Sequence, residues 1–346
     1  MPWWDLDLTN QFNLPQADKG SAPAGFFDSS SGAVRIFYIA SKTIRHGYFA
    51  GSTWGNQNIS GPGVAAGTAL CAFADSVGNH IVYDAAVSRS LPQVHQILGT
   101  SSGATWVDQD LNPNAAVAVA SGLSSFVDGN GGAHVFYIRS TDQHVHQLSY
   151  SNGAWTDQDL TSLAGGPSAV TPSPLVSYSD GYGYHIFYVS DQHVHQLFLG
   201  SANSAKWVDQ DLTATTNGPQ VAPGSGLSGF VDSYGEHAFY VGSDQYLHHL
   251  IFTSGNWSDH GLTALTTTTT TAATASAVSS FGDSYGDHAV YVGADQHVHQ
   301  LYFDNSVWSD QDLTSTATPV VESQVPQAAN GSSLASLADA YGEQIF

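Results

Sequence analysis

One sequence phrase recurs about every 50 residues along the chain, and its clearest copy occupies residues 279–314, SSFGDSYGDHAVYVGADQHVHQLYFDNSVWSDQDLT. A unit of this length is too small to bury its own apolar face and becomes stable only against neighbouring copies. The repeat therefore predicts a ring or array of seven units. The tryptophan that opens the last part of the phrase marks them, at Trp4, Trp54, Trp106, Trp155, Trp207, Trp257 and Trp308.

Each copy contains four short segments that alternate in the manner of β-strands. In the sixth copy we expect strands at 277–282, 288–292, 297–303 and 308–313. The segment from Asp283 to Gly286 between the first two strands has aspartate and glycine where a tight turn needs them. Because helical periodicity is missing, we predict an all-β fold, a seven-bladed β-propeller of four-stranded antiparallel blades that forms a single domain over 1–346.

Closure of the ring is predicted from the two ends of the chain. The segment from Trp4 to Thr9 is a free copy of the fourth strand, and we expect it to complete the seventh blade. That blade is still roughly nine residues short of the repeat period, the length of the DQHVHQL strand. Either the blade lacks its third strand or the natural chain continues beyond Phe346. The blades are expected at approximately 26–60, 70–111, 122–161, 174–213, 226–263, 277–314, and 334–346 plus 3–9.

Composition excludes several partners. A formal net charge of −22 with only seven Lys and Arg residues leaves little to bind phosphates, so nucleic acid and anionic membranes are poor candidates. No apolar stretch is long enough for a membrane-spanning helix, and the first residues lack the pattern of a signal peptide. We expect a soluble protein that is cytoplasmic or released by a non-classical route. Cys71 has no cysteine to pair with and is expected to be a buried packing residue.

Histidines recur at two positions of the repeat. One follows the first turn, and the other forms His-x-His pairs such as His193 and His195 in the third strand. Both members of a pair face the same side of a strand, which would suit a metal ion, but the repeat places no third ligand nearby in sequence. We therefore expect hydrogen bonding between strands or the lining of a ligand pocket, and no metal or other cofactor. The Asp-rich fourth strand, as in 310–312, likewise lacks the glycine-containing loop of a calcium site.

Catalysis is not predicted. A glycosidase needs two carboxylates in one cleft, whereas here every blade offers nearly the same carboxylates. GxSxG and HExxH patterns are absent. The repeat instead combines aromatic rings, on which a sugar can stack, with polar groups that match its hydroxyls.

The candidate ligand-binding residues fall on two rims of the ring because the strands are antiparallel. Tyrosines of the first turn, the histidines after it and the tryptophans of the fourth strand share one rim, which we expect to be the primary binding surface. Glutamines before the His-x-His pairs lie on the other. Packing of the tryptophans between blades stays open as the alternative, and for aromatic pairs such as Phe239-Tyr240 packing is the expected role. The candidates are Tyr182, Tyr234, Tyr285, His134, His185, His237, His288, Trp106, Trp155, Trp207, Trp257, Trp308, Gln143, Gln192, Gln245 and Gln296.

With motifs close to DSYGxHxFYVGSDQHVHQLYF and WxDQDLT, the chain resembles the Photorhabdus-type (PLL-like) lectins over essentially Trp4 to Phe346. The resemblance implies a seven-bladed propeller, repeated sites between blades for L-fucose and related glycans, including O-methylated ones, and assembly into homo-oligomers. Another fucose-binding propeller family uses an arginine, a glutamate and an aromatic residue in every site. With four Arg and three Glu, this chain cannot repeat that scheme.

Together these observations predict a multivalent lectin for fucosylated glycans or glycoconjugates, without catalysis. A propeller that serves as a scaffold for another protein, or a glycan-processing enzyme, remains as the alternative.

Overall fold

The computed structural model is built from six four-stranded antiparallel sheets that follow one another along the chain. In each sheet the strands pair in sequence order, which confirms the four-stranded antiparallel blade. The first strands of successive blades contact one another and therefore surround the centre, while the fourth strands lie outermost. The structure describes residues 4–18, 20–29, 31–50, 53–59, 63–65, 68–86, 92–100, 105–112, 116–118, 121–151, 153–201, 206–266, 270–304, 306–319, 325–328, 331–339 and 342–346.

Strands β2 to β25 form the blades, four to a blade in chain order. Blade 1 is β2 (Ala24–Asp28), β3 (Ala33–Ala40), β4 (Thr43–Ala50) and β5 (Thr53–Asn58). Blade 2 is β6 (Leu70–Ala74), β7 (Gly78–Ala85), β8 (Gln93–Thr100) and β9 (Trp106–Asp110). Blade 3 is β10 (Ser124–Val127), β11 (Ala133–Ile138), β12 (Val145–Ser151) and β13 (Ala154–Asp159). Blade 4 is β14 (Leu175–Ser179), β15 (Gly183–Ser190), β16 (His193–Gly200) and β17 (Trp207–Asp211). Blade 5 is β18 (Leu227–Val231), β19 (Glu236–Val241), β20 (Leu247–Thr253) and β21 (Asn256–Gly261). Blade 6 is β22 (Val278–Gly282), β23 (Asp287–Val292), β24 (Val298–Asp304) and β25 (Val307–Asp312).

The predicted seventh blade is wrong: the propeller has six blades, and within the described residues the last repeat forms a two-stranded hairpin, β27 (Ser336–Asp339) and β28 (Gly342–Ile345). Strand β27 contacts the first strands of blades 6 and 1, so the hairpin lies between them. Strand β1 (Trp4–Asp5) does not complete it, but pairs in parallel with β26 (Thr318–Pro319). In each blade the fourth strand pairs with the third, and without a third strand the N-terminal segment has no edge there to join.

The end of the repeated phrase begins a short helix instead of continuing the fourth strand. In four of the five described helices the side chain of the aspartate before the leucine accepts a hydrogen bond from a backbone N–H of the first turn, as Asp312 does from Ser315. In blade 5 Gly261 stands at this position and makes no such bond. Aspartate at this position satisfies a donor that the helix leaves unpaired and thereby stops the strand. The helices are α1 (Leu8–Phe12), α2 (Leu160–Ala164), α3 (Leu212–Thr216), α4 (Leu262–Leu265) and α5 (Leu313–Thr316).

The first turn of a blade depends on its aspartate and its glycine. In blade 6, Asp283 Oδ1 accepts the N–H groups of Tyr285 at 2.7 Å and Gly286 at 3.1 Å. A Cβ on Gly286 would lie 2.0 Å from the carbonyl oxygen of Phe303, so no other residue fits there. This turn fixes the direction in which the tyrosine side chain leaves the blade.

Apolar side chains fill the space between neighbouring blades. The second strands supply the largest of them, including the fully buried Phe239 and Tyr240. Cys71 packs into the cluster between blades 2 and 3, and burial raises the pKa of its thiol to about 12. Among the described residues, no helix combines the length and the apolar character needed to cross a membrane.

Candidate functional site: the rim of the first turns

A buried network of carboxylates and imidazoles lies beneath the first turn of blade 4. The Nε2 of His185 donates to Asp180 Oδ1 at 3.1 Å, and its Nδ1 lies 2.8 Å from Glu236 Oε2. Gln196 Nε2 donates to the same glutamate oxygen at 2.9 Å. Tyr178 stacks on the imidazole, which is completely buried. Because Glu236 belongs to blade 5, the network joins two blades.

The same arrangement recurs in the neighbouring blades. The histidine that follows the first turn lies 3.0 to 3.2 Å from the aspartate of that turn in blades 2, 3, 5 and 6. Blade 1 keeps the interaction with a different residue, since Arg35 pairs with Asp28 at 2.8 Å. An arginine or a histidine side chain therefore contacts the turn aspartate in all six blades. The histidines concerned are His80, His134, His185, His237 and His288.

The acidic residue that enters three of these networks from the next blade was not among the sequence candidates. It is Glu236 for blade 4, Asp287 for blade 5 and Glu343 of the hairpin for blade 6, whereas blade 3 receives the hydroxyl of Tyr184. All four residues follow the glycine of the next turn, which is the signal that could have identified them. Burial alone would raise the pKa of Asp128, but the hydrogen bonds from Tyr184 and the Gly132 N–H outweigh it and lower that pKa to about 2.

The network beneath the first turn of blade 5 differs from those of blades 4 and 6. Here His249 replaces the glutamine, so the amide that donates to Glu236 and Glu343 elsewhere is missing. Asp287 lies close to Asp232, and the Nδ1 of His237 is 3.7 Å away. Burial and the neighbouring Asp232 carboxylate together raise the pKa of Asp287 to about 7.

The raised pKa of Asp287 predicts a loss of stability with rising pH. The folded pKa of about 7 lies above the unfolded value, so this carboxyl stabilises the fold below about pH 4 and loses that contribution as the pH rises through 7. Asp287→Asn mimics the protonated form and should make the protein about 1–2 kcal/mol more stable than the wild type at pH 8. Urea denaturation at pH 5 and pH 8 measures the difference.

The matched control for Asp287→Asn is Glu236→Gln. Glu236 occupies in the second strand of blade 5 the position that Asp287 occupies in the second strand of blade 6. The carboxylate of Glu236 accepts from Gln196 and contacts His185, so its neutralisation should destabilise the protein. A destabilised Asp287→Asn variant at pH 8 would show that the charged carboxylate is favourable where it lies.

Three tyrosines of the first turns project into solvent. Tyr182, Tyr234 and Tyr285 occupy equivalent positions in blades 4, 5 and 6, and they are 76%, 71% and 68% exposed. The backbone N–H of each is held by the turn aspartate. Three large aromatic side chains that are exposed to solvent at equivalent positions of adjacent blades are typical of a recognition surface.

The tryptophans pack between blades. Trp257 of blade 5 lies edge-on to Phe187 of blade 4, with ring centroids 6.0 Å apart, and Trp308 of blade 6 contacts His249 of blade 5 in the same way. Trp207 and Trp257 are buried, while the other three tryptophan candidates, Trp106, Trp155 and Trp308, are partly exposed. Trp106 likewise contacts the preceding blade, at His46, whereas Trp155 contacts Tyr150 of its own blade and packs against the apolar cluster between blades 2 and 3.

The glutamine candidates lie on the opposite rim, in the turn between the second and third strands. Gln143, Gln192, Gln245 and Gln296 all have positive φ and exposed side chains. The structure therefore brings the turn aspartates, the histidines and the acidic residue of the next blade together on one rim, and separates them from the glutamines.

A cavity of about 480 Å³ opens near the first turns of blades 1 and 2. Phe26, Phe27 and Phe73 line it together with Asp28 and Asp75. Both carboxylates are already paired, with Arg35 and His80. The cavity therefore lies apart from the blades that carry the exposed tyrosines.

Comparison with solved structures identifies lectins of the same fold. No protein-family model matches the chain, and no curated protein matches it in sequence. The BP39L lectin from Burkholderia pseudomallei superposes with a TM-score of 0.62 at 15% identity, covering 95% of this chain and 96% of that lectin. AofleA from Arthrobotrys oligospora gives 0.56 at 13%, covering 90% and 91%. The Aleuria aurantia lectin, a fungal lectin with a six-bladed β-propeller fold and a novel fucose recognition mode, gives 0.56 at 13%, covering 87% and 97%.

Proposed function

We propose that this propeller is a carbohydrate-binding lectin that recognises L-fucose and related glycans, including O-methylated ones, at repeated sites and without turnover. The observation that carries the proposal is the row of solvent-exposed tyrosines, Tyr182, Tyr234 and Tyr285, on adjacent blades of one rim. Similarity in fold to fucose-specific lectins such as that of Aleuria aurantia supports it. Only 10% of the residues are charged, which also suits an uncharged ligand.

Each tyrosine ring offers a flat apolar face to the C–H groups of a sugar, and the turn beneath it is rigid. A preformed turn loses little entropy when a ligand binds. The histidines of the site are buried and hydrogen-bonded to carboxylates, so we assign them to supporting the turn. We assign the buried Trp207 and Trp257 to packing on the same ground.

Several equal sites on one rim would act together on a surface coated with glycans. A single sugar site of this exposed type binds weakly, and simultaneous engagement of several raises the overall avidity by orders of magnitude. Multivalent binding also explains why the same groups recur in blades 4, 5 and 6 and are not concentrated in one cleft.

The decisive experiment measures binding to a glycan panel with free L-fucose as competitor. We expect fucose-inhibitable binding, and a loss of avidity of about tenfold or more when Tyr182, Tyr234 and Tyr285 are all changed to alanine. The wild-type protein should leave the glycans chemically unchanged, as mass spectrometry will verify.

Tyr246→Ala is the matched control, because this tyrosine is exposed on the opposite rim. Its binding should equal that of the wild type. A triple variant that binds normally, or binding that free sugars do not inhibit, would contradict the proposal, and the latter result would favour a protein-binding scaffold.

A further inference from the structure

A second kind of cluster lies on the opposite rim, where the third strand of blade 4 begins and the fourth ends. His193, His195 and Asp211 each turn a potential ligand atom toward the others, and these atoms lie within 4.8 Å of one another. His193 Nδ1 is 2.7 Å from Asp211 Oδ2, and His195 Nε2 is 3.9 Å from the same oxygen. The fold thus adds a third ligand to the His-x-His pair, from the neighbouring strand of the sheet.

The imidazole of His195 is oriented by a carboxylate behind it. Its Nδ1 donates to Asp209 Oδ2 at 3.1 Å, and Asp209 is itself held by the hydroxyl of Tyr188 at 3.0 Å. Metal-binding histidines commonly donate their other ring N–H to a carboxylate in this way, which fixes the tautomer with a free lone pair. The Nε2 of His195 is consequently free to act as a ligand.

In blades 2 and 3 the equivalent histidine has a ring nitrogen that makes no hydrogen bond, although the His146 Nε2 lies 3.5 Å from Asp142 Oδ2. In blade 3 the His146 Nδ1 is bound by Asp157, and in blade 2 the His95 Nδ1 is bound by Asp108. The Nε2 atoms of both histidines are buried, and within the described part of the chain neither makes a hydrogen bond. In blades 5 and 6, by contrast, the Nε2 atoms of His248 and His299 lie 3.1 and 3.2 Å from a carboxylate of the preceding turn, Asp244 and Asp295.

The two carboxylate oxygens of Asp211 make different contacts. Its Oδ1 accepts the N–H of Ala214 at the start of α3, which leaves Oδ2 toward the histidines. The Asp211 Oδ2 therefore lies where it can serve as the third ligand.

We propose that His193, His195 and Asp211 form a binding site for a divalent transition metal ion of the zinc class. Two imidazole nitrogens and one carboxylate oxygen are a donor set that zinc accepts, with the fourth position left to water. Blade 6 carries the corresponding residues His297, His299 and Asp312. There the His297 Nδ1 lies 2.7 Å from Asp312 Oδ2, and the His299 Nδ1 lies 3.1 Å from Asp310. The His299 Nε2 lies 3.2 Å from Asp295 Oδ2, which adds a further carboxylate oxygen to this cluster.

Two other blades carry substitutions that exclude the metal. In blade 5 the first histidine is Tyr246 and the carboxylate is Gly261, so only His248 is left of the three ligands. Blade 3 retains the ligand equivalents His144, His146 and Asp159, but Arg139 stands there in place of the Ser190 of blade 4. Its guanidinium contacts Asp157 and lies 3.9 Å from Asp142, so a positive charge beside the histidines opposes a cation. We therefore expect two sites per chain, in blades 4 and 6.

Equilibrium dialysis of the full chain against Zn²⁺, after treatment with a chelator, tests this inference. The wild type should bind two ions, His193→Ala one, and the double variant with His297→Ala none. Tyr246→Ala should still bind two. Co²⁺ in place of Zn²⁺ should give visible absorption bands typical of low coordination, and His193→Ala should reduce them by about half.

Circular dichroism of each variant establishes that the fold is retained, which the partly exposed position of His193 allows. Unchanged zinc stoichiometry in the double variant, or binding without saturation in the wild type, would overturn the proposal. The metal sites are independent of the sugar sites on the other rim. Fucose-inhibitable binding should therefore be the same before and after chelation, and failure of either proposal leaves the other intact.

Discussion

Trp257→Ala should destabilise the protein by about 3–5 kcal/mol, because the indole fills the space between blades 4 and 5. Its ring lies edge-on to Phe187 and packs against Phe252 of its own blade, with centroids 5.4 Å apart. Alanine would leave a cavity that these rings, fixed in paired strands, cannot collapse to fill. Urea denaturation followed by circular dichroism measures the change in the free energy of unfolding.

Val208→Ala on the fourth strand of blade 4 is the control, since that side chain is 52% exposed and should change stability by less than about 0.5 kcal/mol. The measurement also decides between two roles of the repeated tryptophan. If Trp257→Ala kept its stability but lost sugar binding, the indole would be a ligand contact. Lower stability with normal binding by the folded fraction would establish packing as its role.

The period and the turn chemistry made the blade predictable, because both depend on residues near one another in sequence. Asp283 and Gly286 build one turn between adjacent strands, and the structure retains both contacts. The helix after the fourth strand was missed although its cap is local. Aspartate in the phrase was interpreted as part of a strand, whereas its side chain terminates that strand.

The number of blades could not be derived from the number of repeats. Seven tryptophans indicated seven units, but a blade needs four paired strands, and the last copy supplies only β27 and β28. Phe346 of this hairpin nevertheless lies edge-on to Trp54, at 6.0 Å between centroids, in the way that each blade contacts the tryptophan of the next. Packing between neighbours is thus retained where strand pairing is incomplete.

Contacts between residues of different strands or blades could not be predicted from the sequence, because these residues lie far apart in the chain. Glu236 and His185 are 51 residues apart in the chain yet adjacent in space. The metal hypothesis was set aside because no third ligand lies near the His-x-His pair in sequence. Antiparallel pairing brings Asp211 opposite His195, and that register follows only from the folded sheet.

The second large loss of stability is expected when the buried network between blades 4 and 5 is disrupted. His185→Ala should cost about 3–5 kcal/mol, because it leaves Asp180 and Glu236 as buried carboxylates without the imidazole that lies between them. The stacked ring of Tyr178 would lose its neighbour as well. Denaturation in urea at neutral pH measures the loss, and hydrogen exchange should show it concentrated in strands β15 and β19, which flank the network.

A double-mutant cycle separates the network from simple loss of volume. If the imidazole acts by neutralising Glu236, then His185→Ala combined with Glu236→Ala should cost less than the sum of the two single changes, by roughly 1–3 kcal/mol. His193→Ala, on the other rim and partly exposed, is the matched control and should combine additively with Glu236→Ala. Additive costs for the buried pair would mean that His185 stabilises the boundary between blades by packing alone.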